Sequence, residues 1–128
     1  MRIERELMRG AGPVAVLKLL ESGQKYGYEL VTSLAEQGEG ILDMGQSTLY
    51  PMLYNLEAQG FIKASWEEGS TGRQRKYYSL TPNGKKRLAN SVEQWRALAK
   101  AFTGLGILEE GILKEGTKQR PALGGATP

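Results

Sequence analysis

Ser47, Thr48, Tyr50, Tyr54 and Asn55 surround Pro51 within one short segment, and Arg73, Arg75 and Lys76 follow beside Gly69 and Gly72. Hydroxyl and amide groups gathered on one helix suit hydrogen bonds to base edges, and a knot of cations suits phosphate oxygens. The chemistry on offer is recognition of a polyanion, with no covalent bond made or broken. Catalysis is disfavoured on separate grounds. The chain has no cysteine and no histidine, so zinc sites, thiol redox chemistry, Cys–His pairs and Ser–His triads lack their ligands or general bases. No catalytic residue, metal ligand or cofactor is expected.

These side chains need elements to present them. Leu49, Met52, Leu53 and Leu56 recur at i, i+3, i+4 and i+7, which predicts an amphipathic helix with Ser47, Pro51 and Tyr54 on its opposite face. Two starts are open: Ser47 as the cap, or Gly45, which puts Pro51 inside the helix and calls for a local bend. Gly60 closes it. Upstream, residues 14–20 are almost wholly apolar and read as a buried first helix ending at Glu21, Ser22 and Gly23, with Pro13 in its first turn. A second helix is expected over about 26–37, with Leu30, Val31 and Leu34 on one face and Gly38 and Gly40 as its stop. Downstream, Ile62, Ala64 and Trp66 alternate with Lys63, Ser65 and Glu67, and Tyr78 and Leu80 alternate with Tyr77 and Ser79, giving two strands joined at 69–72. Thr81 followed by Pro82 opens a long helix reaching about Phe102 or Gly104, on the order of 30 Å.

Along that last helix Leu88, Val92, Trp95, Ala99 and Phe102 follow one another at spacings of four and three. The stripe serves a homodimer seam or packs on the chain's own first helix; the dimer is the reading adopted, since paired half-sites suit it. The 128 residues are enough for one modest core. The net charge of +3 is mild but uneven: Lys63, Arg73, Arg75, Lys76, Lys85, Lys86, Arg87, Arg96 and Lys100 outnumber Glu67, Glu68 and Glu93 over the hairpin and following helix. No long apolar run reads as a signal peptide or membrane span, so a cytoplasmic location and no membrane partner are expected. The glycine- and proline-rich stretch 105–128 is expected to be a short helix, around 107–114, or disordered.

Several motifs in order then point to a family. Gly27-Tyr28-Glu29-Leu30, Ser47-Thr48-Leu49-Tyr50-Pro51, Leu56-Glu57 with Gly60, and Gly72-Arg73-Gln74-Arg75-Lys76-Tyr77-Tyr78-Ser79-Leu80-Thr81 closely resemble the PadR-like transcriptional regulators. The chain is similar to the short branch of that family, in which a single C-terminal helix makes the homodimer. It departs from the pattern at Ser47, where glycine is usual, at Asn55, where a base is common, and at Gln74, where proline is frequent. Loss of a base at Asn55 removes a phosphate contact and leaves an amide able to read an adenine edge. For Trp95 two readings stand. It fills the interface, or, as the resemblance to short multidrug sensors implies, it stacks on a planar aromatic or phenolic effector, with Leu98, Ala99 and Phe102 completing an apolar wall.

The expected fold is therefore mainly α, α+β in class: a winged helix-turn-helix of three N-terminal helices and a two-stranded wing over 1–80, a dimerisation helix over 81–104, and the tail over 105–128. The expected function is a sequence-specific, ligand-responsive homodimeric repressor on a pseudo-palindromic duplex DNA operator. Ser47, Thr48, Tyr50, Pro51, Tyr54 and Asn55 would enter the major groove, and Arg73, Arg75 and Lys76 would meet phosphates or the minor groove. The alternative is a winged-helix adaptor that binds protein and no specific DNA.

Overall fold

A computed structural model of the chain describes residues 1–109. The order is α1 (Arg5–Leu20), β1 (Lys25–Tyr26), α2 (Gly27–Gln37), α3 (Gln46–Ala58), β2 (Ile62–Glu68), β3 (Gln74–Leu80) and α4 (Pro82–Gly104). Two compact units are present, Met1–Asn90 and a second beginning at Ser91.

In the first unit, Val16, Leu17 and Leu20 of α1, Leu30 and Leu34 of α2, and Leu49, Leu53 and Leu56 of α3 are buried together with Ile62, Tyr78 and Leu88. Each buried leucine contributes about 2 kcal/mol relative to exposure. Helix α1 begins at Arg5, so Pro13 lies inside it rather than in its first turn. The missing N–H of Pro13 orphans the carbonyl of Arg9, an exposed residue where water can replace the donor. The cost is small enough for the helix to continue.

Helix α3 resolves the choice left open for its start. Gly45 is the cap, in extended conformation, and its carbonyl accepts from the N–H groups of Thr48 and Leu49 at 3.1 and 3.0 Å. Ser47 is thus helical and not the cap. Pro51 falls inside the helix and deprives the Ser47 carbonyl of its partner, again at an exposed position. At the far end, Phe61 N–H bonds to Leu56 O and Gly60 N–H to Glu57 O, both at 3.0 Å. Gly60 takes φ +80 there, the left-handed turn that glycine adopts without a Cβ clash.

The sheet has three strands in the order β1-β3-β2, all neighbours antiparallel. The strand absent from the sequence reading is Lys25–Tyr26, whose Tyr26 is expected at the start of the second helix; it pairs Lys25 with Tyr78 and Tyr26 with Tyr77. Two residues are too short to carry a period. In β2 the alternation holds, but Ile62 is 2% exposed and Trp66, on the same face, is 65% exposed, because the outer hairpin runs past the core. Thr81 caps α4 as expected: its hydroxyl accepts from Gly84 N–H at 3.0 Å and donates to the Gly60 carbonyl at 2.6 Å.

In the second unit the rest of α4 carries Trp95 and Leu98 exposed, with Val92, Ala99 and Phe102 partly covered. Gly106 N–H to Thr103 O at 3.0 Å and Ile107 N–H to Phe102 O at 2.8 Å end the helix. Ile107 and Leu108 are consequently bends, Glu109 is irregular, and no further helix starts there; residues 110–114 of the 107–114 segment lie outside the described residues. Among the described residues no helix is long and apolar enough to cross a membrane, and no cluster of acidic side chains could hold a metal ion.

Candidate nucleic-acid interface

The buried stripe of α3 dictates what its other side presents. With Leu49, Leu53 and Leu56 in the core, Ser47, Thr48, Tyr50, Pro51, Tyr54 and Asn55 are all exposed along the outer face. Tyr54 is 72% exposed. Among the described residues, the side chains of Ser47, Thr48, Tyr54 and Asn55 make no hydrogen bond within the chain. Hydroxyls and an amide on a rigid helix, held by a core on the reverse side, are available to base edges and phosphates.

Tyr50 behaves differently. Its ring lies across Gly27 at the first turn of α2, so closely that a Cβ at Gly27 would collide with the phenol. Gly27 is buried beneath the Tyr50 ring, which itself stays 43% exposed. Next to it Tyr78 is buried on β3, and burial pushes its phenol above the usual value, with smaller contributions from Glu57 and Tyr50.

The wing separates its three bases. Gly69 N–H donates to the Arg73 carbonyl at 2.8 Å and Gly72 N–H to the Gly69 carbonyl at 3.0 Å, which sets the turn and leaves Arg73 exposed at the tip. Arg75 lies back along the strand with its guanidinium carbon 4.4 Å from the centroid of the Tyr26 ring. Lys76 points to the other face, 5.5 Å over the Tyr78 ring and 4.0 Å from a carboxylate oxygen of Glu57. That ion pair is partly exposed and stretched, so it adds little stability. Lys85 and Lys86 are exposed on the first turns of α4, and Arg87 stands 5.3 Å over Phe61.

Sequence reasoning missed the contacts that tie this wing down. Gln24 donates to a Glu67 carboxylate oxygen at 2.9 Å, and Tyr26 meets Tyr77 edge to face at 5.4 Å. Both depend on β1, and only the aromatic character of Tyr26 hinted at a partner.

Leu88 is 3% exposed within the first unit, so it is spent on the chain's own core. Trp95 and Leu98, 42% and 45% exposed, are the large apolar side chains of α4 left uncovered.

Comparison with known proteins agrees with this arrangement. Residues 16–90 match the model of the transcriptional regulator PadR-like family. A transcriptional regulator of Mycobacterium tuberculosis is 30% identical over 78% of this chain and 90% of its own length. The negative transcriptional regulator PadR of Bacillus subtilis is 32% identical over 58% of this chain and 41% of its own. Among solved structures, a PadR family transcriptional regulator from Eggerthella lenta is 38% identical, with TM-score 0.68 over 78% of this chain and 85% of that one. A Streptococcus transcriptional regulator is 33% identical, with TM-score 0.72 over 80% and 99%.

Proposed function

Because this chain belongs to the PadR-like family of transcriptional regulators, we propose that it is a homodimeric repressor that binds a pseudo-palindromic DNA operator. The carrying observation is the outer face of α3, where Ser47, Thr48, Tyr54 and Asn55 are exposed and uncommitted while the reverse face is locked into the core. In this reading α3 enters the major groove, Pro51 meets a thymine methyl, Asn55 reads an adenine edge, and Tyr50 lies at the groove wall. Arg73 meets the backbone beside it and supplies affinity that falls with salt. The relative named as a negative regulator supports repression.

Two such units on one operator require a seam. Trp95 and Leu98, with Val92, Ala99 and Phe102 on the neighbouring turns, form it; Leu88 takes no part because it is already buried. Bound across the seam, a planar aromatic or phenolic effector would stack on Trp95 and change the spacing of the two α3 helices, shifting the population away from the operator-bound form.

Footprinting on the DNA upstream of the gene tests the reading. Two protected half-sites about one helical turn, roughly 34 Å, apart are expected. Absence of any protected sequence, with the protein instead retained on other proteins, would replace it with the adaptor reading. Trp95→Glu is expected to give monomers in light scattering and to lose the paired footprint; an unchanged dimer would move the seam elsewhere.

A further inference from the structure

Arg75 would count as a phosphate ligand by its type and its place in the wing. Its surroundings are those of a strut. The guanidinium carbon sits 4.4 Å from the Tyr26 ring centroid, and Tyr26 is itself fixed on two sides. Its ring meets Tyr77 edge to face at 5.4 Å, and its N–H donates to the Glu29 carboxylate at 3.1 Å. A planar guanidinium stacked on a ring keeps that position more firmly than a solvated cation would.

The same side chain reaches the turn. A Cβ built on Gly69 would lie 3.2 Å from Arg75 Nε, so the stem of Arg75 covers Gly69. Gly69 in turn holds the Arg73 carbonyl through its N–H at 2.8 Å. Across the hairpin Glu67 pairs in register with Arg75, and Glu67 accepts from Gln24 at 2.9 Å. At one level of the wing, therefore, both strands are fastened to the segment just before α2.

We propose that Gln24, Tyr26, Glu67 and Arg75 form a clamp that fixes the wing against the start of α2, and that Arg75 is a positioning residue that aims Arg73 at the DNA backbone. This rests on the DNA-binding reading above. A residue that binds phosphate and one that positions another differ in salt dependence, since only the first releases counterions.

The test measures operator affinity over a range of salt concentrations for the full chain and five variants. Arg73→Ala is expected to reduce the slope of log affinity against log salt by about one. Arg75→Ala and Tyr26→Leu are each expected to weaken binding by about three- to ten-fold with the slope kept. The double variant should be no weaker than either single one, because one contact is lost once. Tyr26→Phe keeps the ring and should bind as the parent does. A slope reduced by about one in Arg75→Ala, with full additivity to Tyr26→Leu, would overturn the clamp. A measurement on the free protein separates the two readings. Amide exchange at Tyr26, Tyr77 and Gly69 should accelerate in Arg75→Ala and stay slow in Tyr26→Phe, whether or not DNA binds. Unchanged exchange in Arg75→Ala defeats the clamp by itself, whereas normal acceleration without any DNA binding defeats only the operator reading.

Discussion

The outer face of α3 and the wing are both rich in polar groups, yet they treat them in opposite ways. On α3, Ser47, Thr48, Tyr54 and Asn55 project from a helix whose other side is buried, and none is used by the chain. On the wing, Arg75 and Lys76 lie over the protein's own rings, Lys76 also beside a carboxylate, and both are partly covered, whereas Arg73 stands exposed at the tip. Rigidity on α3 comes from the core behind it. A hairpin that outruns the core has no such support and must spend side chains to hold its shape. On the proposed reading, uncommitted polar groups mark where the surface reads, and committed charges mark where it is braced.

The sharpest way to break this contrast is at Tyr54, 72% exposed and without a structural task. Tyr54→Ala should cost about 10- to 100-fold in operator affinity in a gel-shift titration, at an unchanged thermal midpoint. A fall in stability of similar size would mean that the face is structural after all. Next in size is Arg73→Ala, for which about a three- to ten-fold loss, equal on operator and on unrelated DNA, is expected by fluorescence anisotropy. Loss at one operator position alone would make the tip a reader and erase the distinction.

A smaller effect should appear where the two regions meet, at Tyr78. Burial, chiefly, with Glu57 and Tyr50 adding to it, raises its phenol above the unfolded value of 10.0. The folded state thus holds the proton longer than the unfolded chain, so the stability it contributes is full below pH 10 and is lost as the pH climbs through the raised value. Chemical denaturation at alkaline pH should show that decline, and Tyr78→Phe should flatten it. A decline that persists unaltered in Tyr78→Phe would assign it to other groups.

The smallest change lies outside both regions and calibrates them. Glu39, just past α2, has φ +54, a left-handed conformation in which a side chain with a Cβ is strained. Glu39→Gly should raise stability by about 0.5–1 kcal/mol in urea melts and leave DNA affinity as it was. A change in affinity of the size expected for Arg73 would show that stability alone moves the binding signal.

Much of α3 was legible because its pattern is local. Leu49, Met52, Leu53 and Leu56 fall within two turns, and Thr81-Pro82 announces α4 without reference to anything distant. Local signals also misled. Pro13 reads as a start, yet α1 runs through it because an exposed carbonyl tolerates losing its donor. Ser47 reads as a cap, yet Gly45 takes that place. The wing's bracing could not be read at all. Arg75 has the type of a phosphate ligand, and what redirects it is Tyr26, far back in the chain on a strand of two residues that exists only because β3 offers it an edge. The face of α3 was visible in sequence; the division of labour on the wing required the fold.

Trp66 stands exposed on β2 where the hairpin leaves the core. The chain has two tryptophans, and the other, Trp95, lies in the second unit. Each region thus carries its own built-in fluorophore, and both are open to water and to quenchers, 65% and 42% exposed. Replacing either one with phenylalanine leaves a single emitter. Each single-tryptophan variant then reports optically on the wing alone or on α4 alone, with no dye attached, so the proposed docking on DNA and assembly can be timed separately, one in each variant's stopped-flow trace.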